Sequence, residues 1–149
     1  MTQYKHIQDI KDRFERFSDW EDRYREVIKM GKALPDLNDQ FKVEKYQVKG
    51  CQSQVWLVPE LKDGKVFFKA DSDAVLVKGI VGLLVAAYSG LEPDQITKLK
   101  PDFLKDIGIT EHLSMNRTNG LANMVKQIQM YGIAFKSLTE KGVLNVPTL

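Results

Sequence analysis

Apolar residues recur at Ile7, Ile10, Phe14 and Phe17, the three-to-four-residue spacing of one helix face. Ser18 or Asp19 then suits the cap of a second helix, with Glu21 and Asp22 in its first turn. Trp20, Tyr24, Val27 and Ile28 share its apolar face, Gly31 suits its end, and Pro35 marks the chain leaving it. Beyond that point the period shortens. Phe41, Val43, Tyr46 and Val48 predict a strand over 41–48, and a second follows over 53–58, closed by Pro59. Asp63-Gly64 is a hairpin turn signal, so 65–70 should pair back as a third strand.

Asp71-Ser72-Asp73 offers three caps for a helix that is apolar nearly all round from Val75 to Val85, the mark of a buried central helix. Gly79 and Gly82 would let a neighbouring backbone approach, and Gly90 suits the position just past its end. Pro93 and Pro101 are good first residues for two further helical segments. Ser114 can cap a long final helix whose stripe is Leu121, Met124, Val125, Ile128, Tyr131, Phe135 and Leu138. The expected architecture is α+β: a small antiparallel three-stranded sheet with helices packed against it. Residues 1–141 read as a single domain and 142–149 as a loosely held tail.

Composition narrows the function classes. The chain has 149 residues, 43% hydrophobic and 28% charged, enough for one core, and no linker-like stretch divides it. Net charge is +2, and the signs alternate in segments such as Lys11-Asp12-Arg13 and Glu21-Asp22-Arg23. A nucleic-acid binder concentrates its basic residues, and the nearest cluster, Lys42 to Lys49, is diluted by Glu44. The first ten residues lack a signal peptide's apolar run, and the apolar stretch from Gly79 to Tyr88 is well short of the about 20 residues a bilayer requires. The expectation is a soluble, cytoplasmic protein without nucleic acid or membrane partners. His6 and His112 stand at no metal-ligand spacing from the single cysteine, so neither a metal site nor a cofactor is expected.

That cysteine is the candidate for chemistry. Cys51 falls in the connection between two predicted strands, after Gly50, which permits a tight or left-handed turn, and before Gln52 and Ser53. A lone cysteine is most often a small buried hydrophobe. Here the polar neighbours Lys49, Gln52, Ser53 and Gln54 favour an accessible thiol instead. A papain-like hydrolase needs a histidine base, and neither histidine lies in a recognisable signature. A dithiol oxidoreductase needs a second cysteine in the chain, and an iron–sulfur scaffold needs several ligands. One cysteine without such helpers suits a carrier that takes up sulfur by displacement and surrenders it. The rivals are an adaptor module with a structural cysteine and, lowest, a small cysteine hydrolase.

Seven segments in order carry a resemblance: Trp20-Glu21-Asp22-Arg23-Tyr24, Gly31-Lys32-Ala33-Leu34-Pro35, Gly50-Cys51-Gln52-Ser53-Gln54-Val55-Trp56, Asp71-Ser72-Asp73-Ala74, Val77-Lys78-Gly79, Tyr88-Ser89-Gly90, and His112 to Gly120. Together they span about Phe14 to Phe135 and resemble the SufE-like sulfur acceptor proteins. The resemblance implies a fold shared with IscU-type iron–sulfur scaffolds. It also implies a partner, a SufS-like or related pyridoxal-phosphate cysteine desulfurase that holds the cofactor, and a downstream iron–sulfur cluster scaffold. It maps the sulfur-accepting cysteine onto Cys51 and the family's site arginine onto Arg117, with Asn116 where the family often has serine. The chain is then not itself an enzyme; it accepts persulfide sulfur and stimulates the desulfurase. Gly50, Gln52 and Ser53 would support the site. Asp71 and Asp73, most simply helix caps, could also border the Cys51 tip or the partner surface. Trp20 and Trp56 are expected to be packing residues, and Arg117, unfavourably placed for the dipole of the last helix, to have an acidic or thiolate partner.

Overall fold

The computed structural model describes residues 5–147. Helix α1 (Lys5–Glu15) buries Ile7, Ile10 and Phe14, and Phe17 lies just beyond its end. Asp19 caps α2 (Trp20–Lys32), its carboxylate accepting the Asp22 N–H at 2.8 Å. Strands β1 (Val55–Lys62) and β2 (Lys65–Ser72) form an antiparallel hairpin. Its two-residue turn has Asp63 at φ 51° and Gly64 at φ 77°, the left-handed pair a tight hairpin requires. Helix α3 (Val75–Tyr88) follows, then the short α4 (Pro93–Lys98) and α5 (Asp102–Asp106) and the long α6 (Met115–Glu140).

Alternation along the strands sorts their side chains. Val55, Leu57, Leu61, Val66, Phe68 and Ala70 enter the main core. Trp56 and Val58 point to the other face and join Leu37, Tyr46 and Phe41 in a second cluster. Helix α3 is the centre of the main core and packs against α2, β2, α6 and α1. Its crossing with α2 is glycine on glycine: a Cβ on Gly31 would lie 2.6 Å from the Gly79 nitrogen, and one on Gly79 2.4 Å from the Val27 carbonyl oxygen. Gly31 therefore serves an interhelix contact inside α2, whereas sequence spacing makes it the helix end; Ala33 is the C-cap.

Three other expectations are corrected. The first is the third strand: the described residues form a two-stranded sheet. Residues 39–46 instead contain two single 3-10 turns, Asp39–Phe41 and Glu44–Tyr46, and only Gln47 bridges to Trp56. The apolar spacing there is two, three and two, which no extended strand can present on one face. The turns instead bring Phe41 and Tyr46 together, ring centres 6.1 Å apart, over Trp56 and Val58. The second is Pro59, which lies inside β1 opposite Phe68. The backbone groups of Val55 and Leu61 face outward, to Val48 and Val146, and Pro59 shares their side. Its missing N–H thus removes no bond from the ladder. The third is the caps: α3 has no side-chain cap, and Asp71 and Ser72 belong to β2. Past α6, two of the described residues bond to the hairpin through their backbones. Val146 exchanges two backbone bonds with Leu61, at 2.8 and 3.0 Å, and Leu144 accepts the Gly64 N–H at 3.0 Å.

Candidate functional site

The Val48 N–H donates to the Val55 carbonyl at 2.8 Å, closing a loop over 49–54 at the end of the hairpin. Gly50, at φ 82°, turns the chain, and Cys51 follows at the tip, half-buried. Helix α6 holds the tip. The Asn123 amide nitrogen donates to the Gly50 carbonyl at 3.2 Å, and Cys51 Sγ lies 3.6 Å from the Gly120 carbonyl, in reach of a weak S–H···O bond. The loop's return is tied to the approach to α3: the Gln54 N–H donates to the Asp73 carboxylate at 3.0 Å, and the Asp73 N–H to the Gln54 carbonyl at 3.3 Å.

Beside the sulfur is a pocket of about 60 Å³. Gln52 and Ser53 border it from the loop, and Val77, Ile80 and Met124 supply apolar walls. Asn116, Arg117 and Gly120 line it from the first turns of α6. That helix begins here because the Ser114 hydroxyl accepts the Arg117 N–H at 3.3 Å. The Arg117 side chain is exposed and makes no ion pair among the described residues, so the expected acidic partner is absent there. Gly120 faces the sulfur directly: a Cβ there would stand 3.5 Å from Sγ.

Burial pushes the Cys51 thiol above its ordinary value of 9.0. The contact with the Gly120 carbonyl acts in the same sense, because only the protonated sulfur can donate to it. In this conformation the thiol is therefore neutral near pH 7 and a weak nucleophile. Movement of the loop into water would remove the desolvation penalty.

Of the residues singled out by sequence, Gly50, Cys51, Gln52, Ser53 and Arg117 gather at the pocket or its turn. Asp71 and Asp73 do not line it. Asp71 bridges Lys42 at 3.1 Å and Lys78 at 3.3 Å, joining the segment over the outer sheet face to α3. Asp73 anchors the loop stem. Sequence reasoning missed Val77, Ile80, Asn116, Gly120, Asn123 and Met124. The α6 residues carried a signal, since 120, 123 and 124 follow Asn116, the neighbour of Arg117, at helical spacing; nothing local marked Val77 and Ile80. Trp20 and Trp56 are packing residues: Trp20 stacks on His112 at 4.3 Å, and Trp56 lies under the Lys42 ammonium at 5.9 Å. Among the described residues no cluster of His, Cys, Asp or Glu could hold a metal ion, and no helix is long and apolar enough to cross a membrane.

Comparison with known proteins gives this α+β chain a family. The SufE family model, described as an Fe-S metabolism associated domain, matches residues 8–132. The chain belongs to the SufE family. It is 41% identical over 127 residues to an uncharacterised SufE-like protein of Synechocystis, covering 85% of this chain and 80% of that one. It is 42% identical over 128 residues to another from Rhizobium etli, covering 83% and 86%. It is 38% identical over 124 residues to the chloroplastic/mitochondrial SufE-like protein 1 of Arabidopsis thaliana, covering 83% of this chain and 33% of that longer protein. The solution structure of a hypothetical protein from Thermus thermophilus shares the fold, with a TM-score of 0.74 at 20% identity over 89% of this chain and 96% of that one.

Proposed function

We propose that the protein is a sulfur carrier whose Cys51 accepts persulfide sulfur from a pyridoxal-phosphate cysteine desulfurase, stimulates that enzyme by unloading it, and relays the sulfur to iron–sulfur cluster assembly. The observation that carries this reading is the placement of the chain's one cysteine, half-buried at a pocket of about 60 Å³. That volume exceeds what a single water-sized atom occupies, so the outer sulfur of a persulfide fits beside Cys51. Family membership supports the same direction.

The transfer is a displacement. The Cys51 thiolate attacks the outer sulfur of the desulfurase's cysteine persulfide. A sulfur–sulfur bond to Cys51 forms as the one in the desulfurase breaks, and the electron pair leaves on the desulfurase thiolate. No external oxidant or reductant enters. The chain's own contributions are the nucleophile, the apolar wall of Val77, Ile80 and Met124 that keeps competing thiols and water away, and Arg117 at the rim. Pyridoxal phosphate acts in the partner, and this chain is not a catalyst in its own right. A cytoplasmic setting and kinship of the fold with IscU-type scaffolds belong to the same reading.

The test is intact mass measured without reductant after incubation with a cysteine desulfurase and free cysteine. Whole-sulfur additions that a thiol removes, and that are absent from Cys51→Ser at unchanged far-ultraviolet circular dichroism, are the expected result. An unchanged mass in the parent protein would assign Cys51 a structural role in an adaptor module.

A further inference from the structure

The Cys51 loop meets α6 at two points of different strength. One is the long contact between Cys51 Sγ and the Gly120 carbonyl, 3.6 Å, a weak bond by the nature of sulfur. The other is an amide bond: Asn123 Nδ2 donates to the Gly50 carbonyl at 3.2 Å. The orientation of that amide follows from its partner, because a carbonyl oxygen can only accept. The fit is also steric. A Cβ on Gly50 would lie 2.3 Å from Asn123 Nδ2, so the asparagine fills the space that a side chain at residue 50 would need. Asn123 is one turn beyond Gly120 and one residue from Met124, which lines the pocket, so a single face of α6 contacts both the turn and the sulfur.

The stem of the loop on its other side is fixed independently, by the double tie between Gln54 and Asp73 and by the Val48–Val55 bond. Loss of the α6 contacts would therefore leave residues 49–53 anchored at both ends and free to swing at the tip, with no strand or helix disrupted.

We infer that Asn123 is a positioning residue that latches the Cys51 loop against α6 and sets the fraction of molecules in which the thiol is accessible. The inference rests on the sulfur-carrier reading for its purpose. Asn123 does not touch the reacting sulfur; it acts through the Gly50 carbonyl. A partner that supplies its own donor to Gly50, or draws Asn123 away, would release Cys51 without unfolding anything.

The experiment uses the isolated full chain, with neither desulfurase nor cysteine, so its outcome is separate from that of the sulfur-loading assay. Cys51 alkylation by iodoacetamide is followed across a pH series for the parent, Asn123→Ala, Asn123→Leu and, as a control on an exposed α6 position, Lys126→Ala. Asparagine and leucine have nearly the same shape, but leucine has no N–H to donate to the Gly50 carbonyl and adds no charge beside the thiol. Both Asn123 variants are expected to react roughly fivefold faster near neutral pH, the population change one ordinary hydrogen bond controls. The midpoint of their pH profile is expected to fall toward that of an unburied thiol, and their melting temperatures to stay close to the parent's. Lys126→Ala should match the parent. Unchanged rate and midpoint in Asn123→Leu would overturn the latch. So would acceleration accompanied by a large loss of melting temperature in both Asn123 variants, which would make Asn123 a residue of the fold.

Discussion

Asp73 and Gln54 are joined twice, side chain to backbone at 3.0 Å and backbone to backbone at 3.3 Å, so the loop that carries Cys51 returns to the sheet through a fixed point. Removal of the carboxylate in Asp73→Ala deletes the shorter bond and leaves the other. The cost to global stability should be about 0.5–1 kcal/mol, as for one partly exposed hydrogen bond. Amide hydrogen exchange at Gln54 should accelerate while exchange in the centre of β1 does not. Equal acceleration throughout β1 would mean that Asp73 supports the hairpin as a whole.

Gly120→Ala should separate stability from function. A Cβ there would stand 3.5 Å from Cys51 Sγ, an ordinary contact, so the folded protein can accept it. Alanine within a helix is favoured over glycine by roughly 0.5–1 kcal/mol. The urea midpoint should rise. The methyl group nevertheless occupies space beside the sulfur, so the yield of persulfide after incubation with desulfurase and cysteine should fall. Undiminished loading would place the incoming sulfur on another side of Cys51.

Arg117→Ala should leave the Cys51 alkylation titration of the isolated protein where it is, because burial is what displaces that thiol. The exposed guanidinium at the pocket rim, which makes no ion pair among the described residues, is available to an acidic group on a partner. Desulfurase binding, read by calorimetry at low ionic strength, should weaken, and the difference from the parent should shrink as salt is added. A shifted alkylation profile would instead assign Arg117 to the thiolate.

Asp71 gives a pH dependence with a definite sign. Burial pushes its carboxyl up, but the Ser72 N–H together with the Lys42 and Lys78 ammonium groups outweighs that and holds it below its ordinary value of 3.8. A carboxyl depressed on folding contributes stability above its unfolded value and loses it as pH falls through the lower folded one. The parent should therefore lose stability below about pH 4, where Asp71→Asn should lose less. Near neutral pH, Asp71→Asn should be weaker than the parent by about 1–2 kcal/mol, between the exposed and buried cases. Parallel stability curves from pH 7 to pH 3 would remove Asp71 from the acid response.

Gly79→Ala should be the most damaging of these substitutions. Its Cβ would fall 2.4 Å from the Val27 carbonyl oxygen, a backbone atom that no rotamer change can move aside. The helices must separate, at a cost of about 3 kcal/mol, the upper part of the range for overpacked cores. The urea midpoint should drop with little change in slope. A shift under about 1 kcal/mol would show that α2 can slide along α3.

What the sequence determined by itself was whatever short-range physics controls. The paired left-handed residues of the Asp63-Gly64 turn, the Ser114 and Asp19 caps, the Gly90 helix end and the helical periods all follow from local sterics and local hydrogen bonding. Cys51 in a connection beside the sheet was legible for the same reason, since Gly50 must turn there and polar residues flank it. Tertiary structure decided the rest. Residues 41–48 became turns because two aromatic rings found better burial over Trp56 and Val58 than a strand could give them. Pro59 remained in β1 because its blank backbone position faces away from β2, and Gly31 became a helix crossing because Gly79 lies opposite. The surroundings of the sulfur come from residues 69 and 73 positions away from their partners in the loop. Helical spacing puts Gly120 and Asn123 on one face with Asn116, but it does not say what that face meets. Only the packing of α6 against the loop turns the one into the wall beside Cys51 and the other into the donor to Gly50, because a contact across that separation depends on where the core sets the helix and not on any preference of the chain at either end.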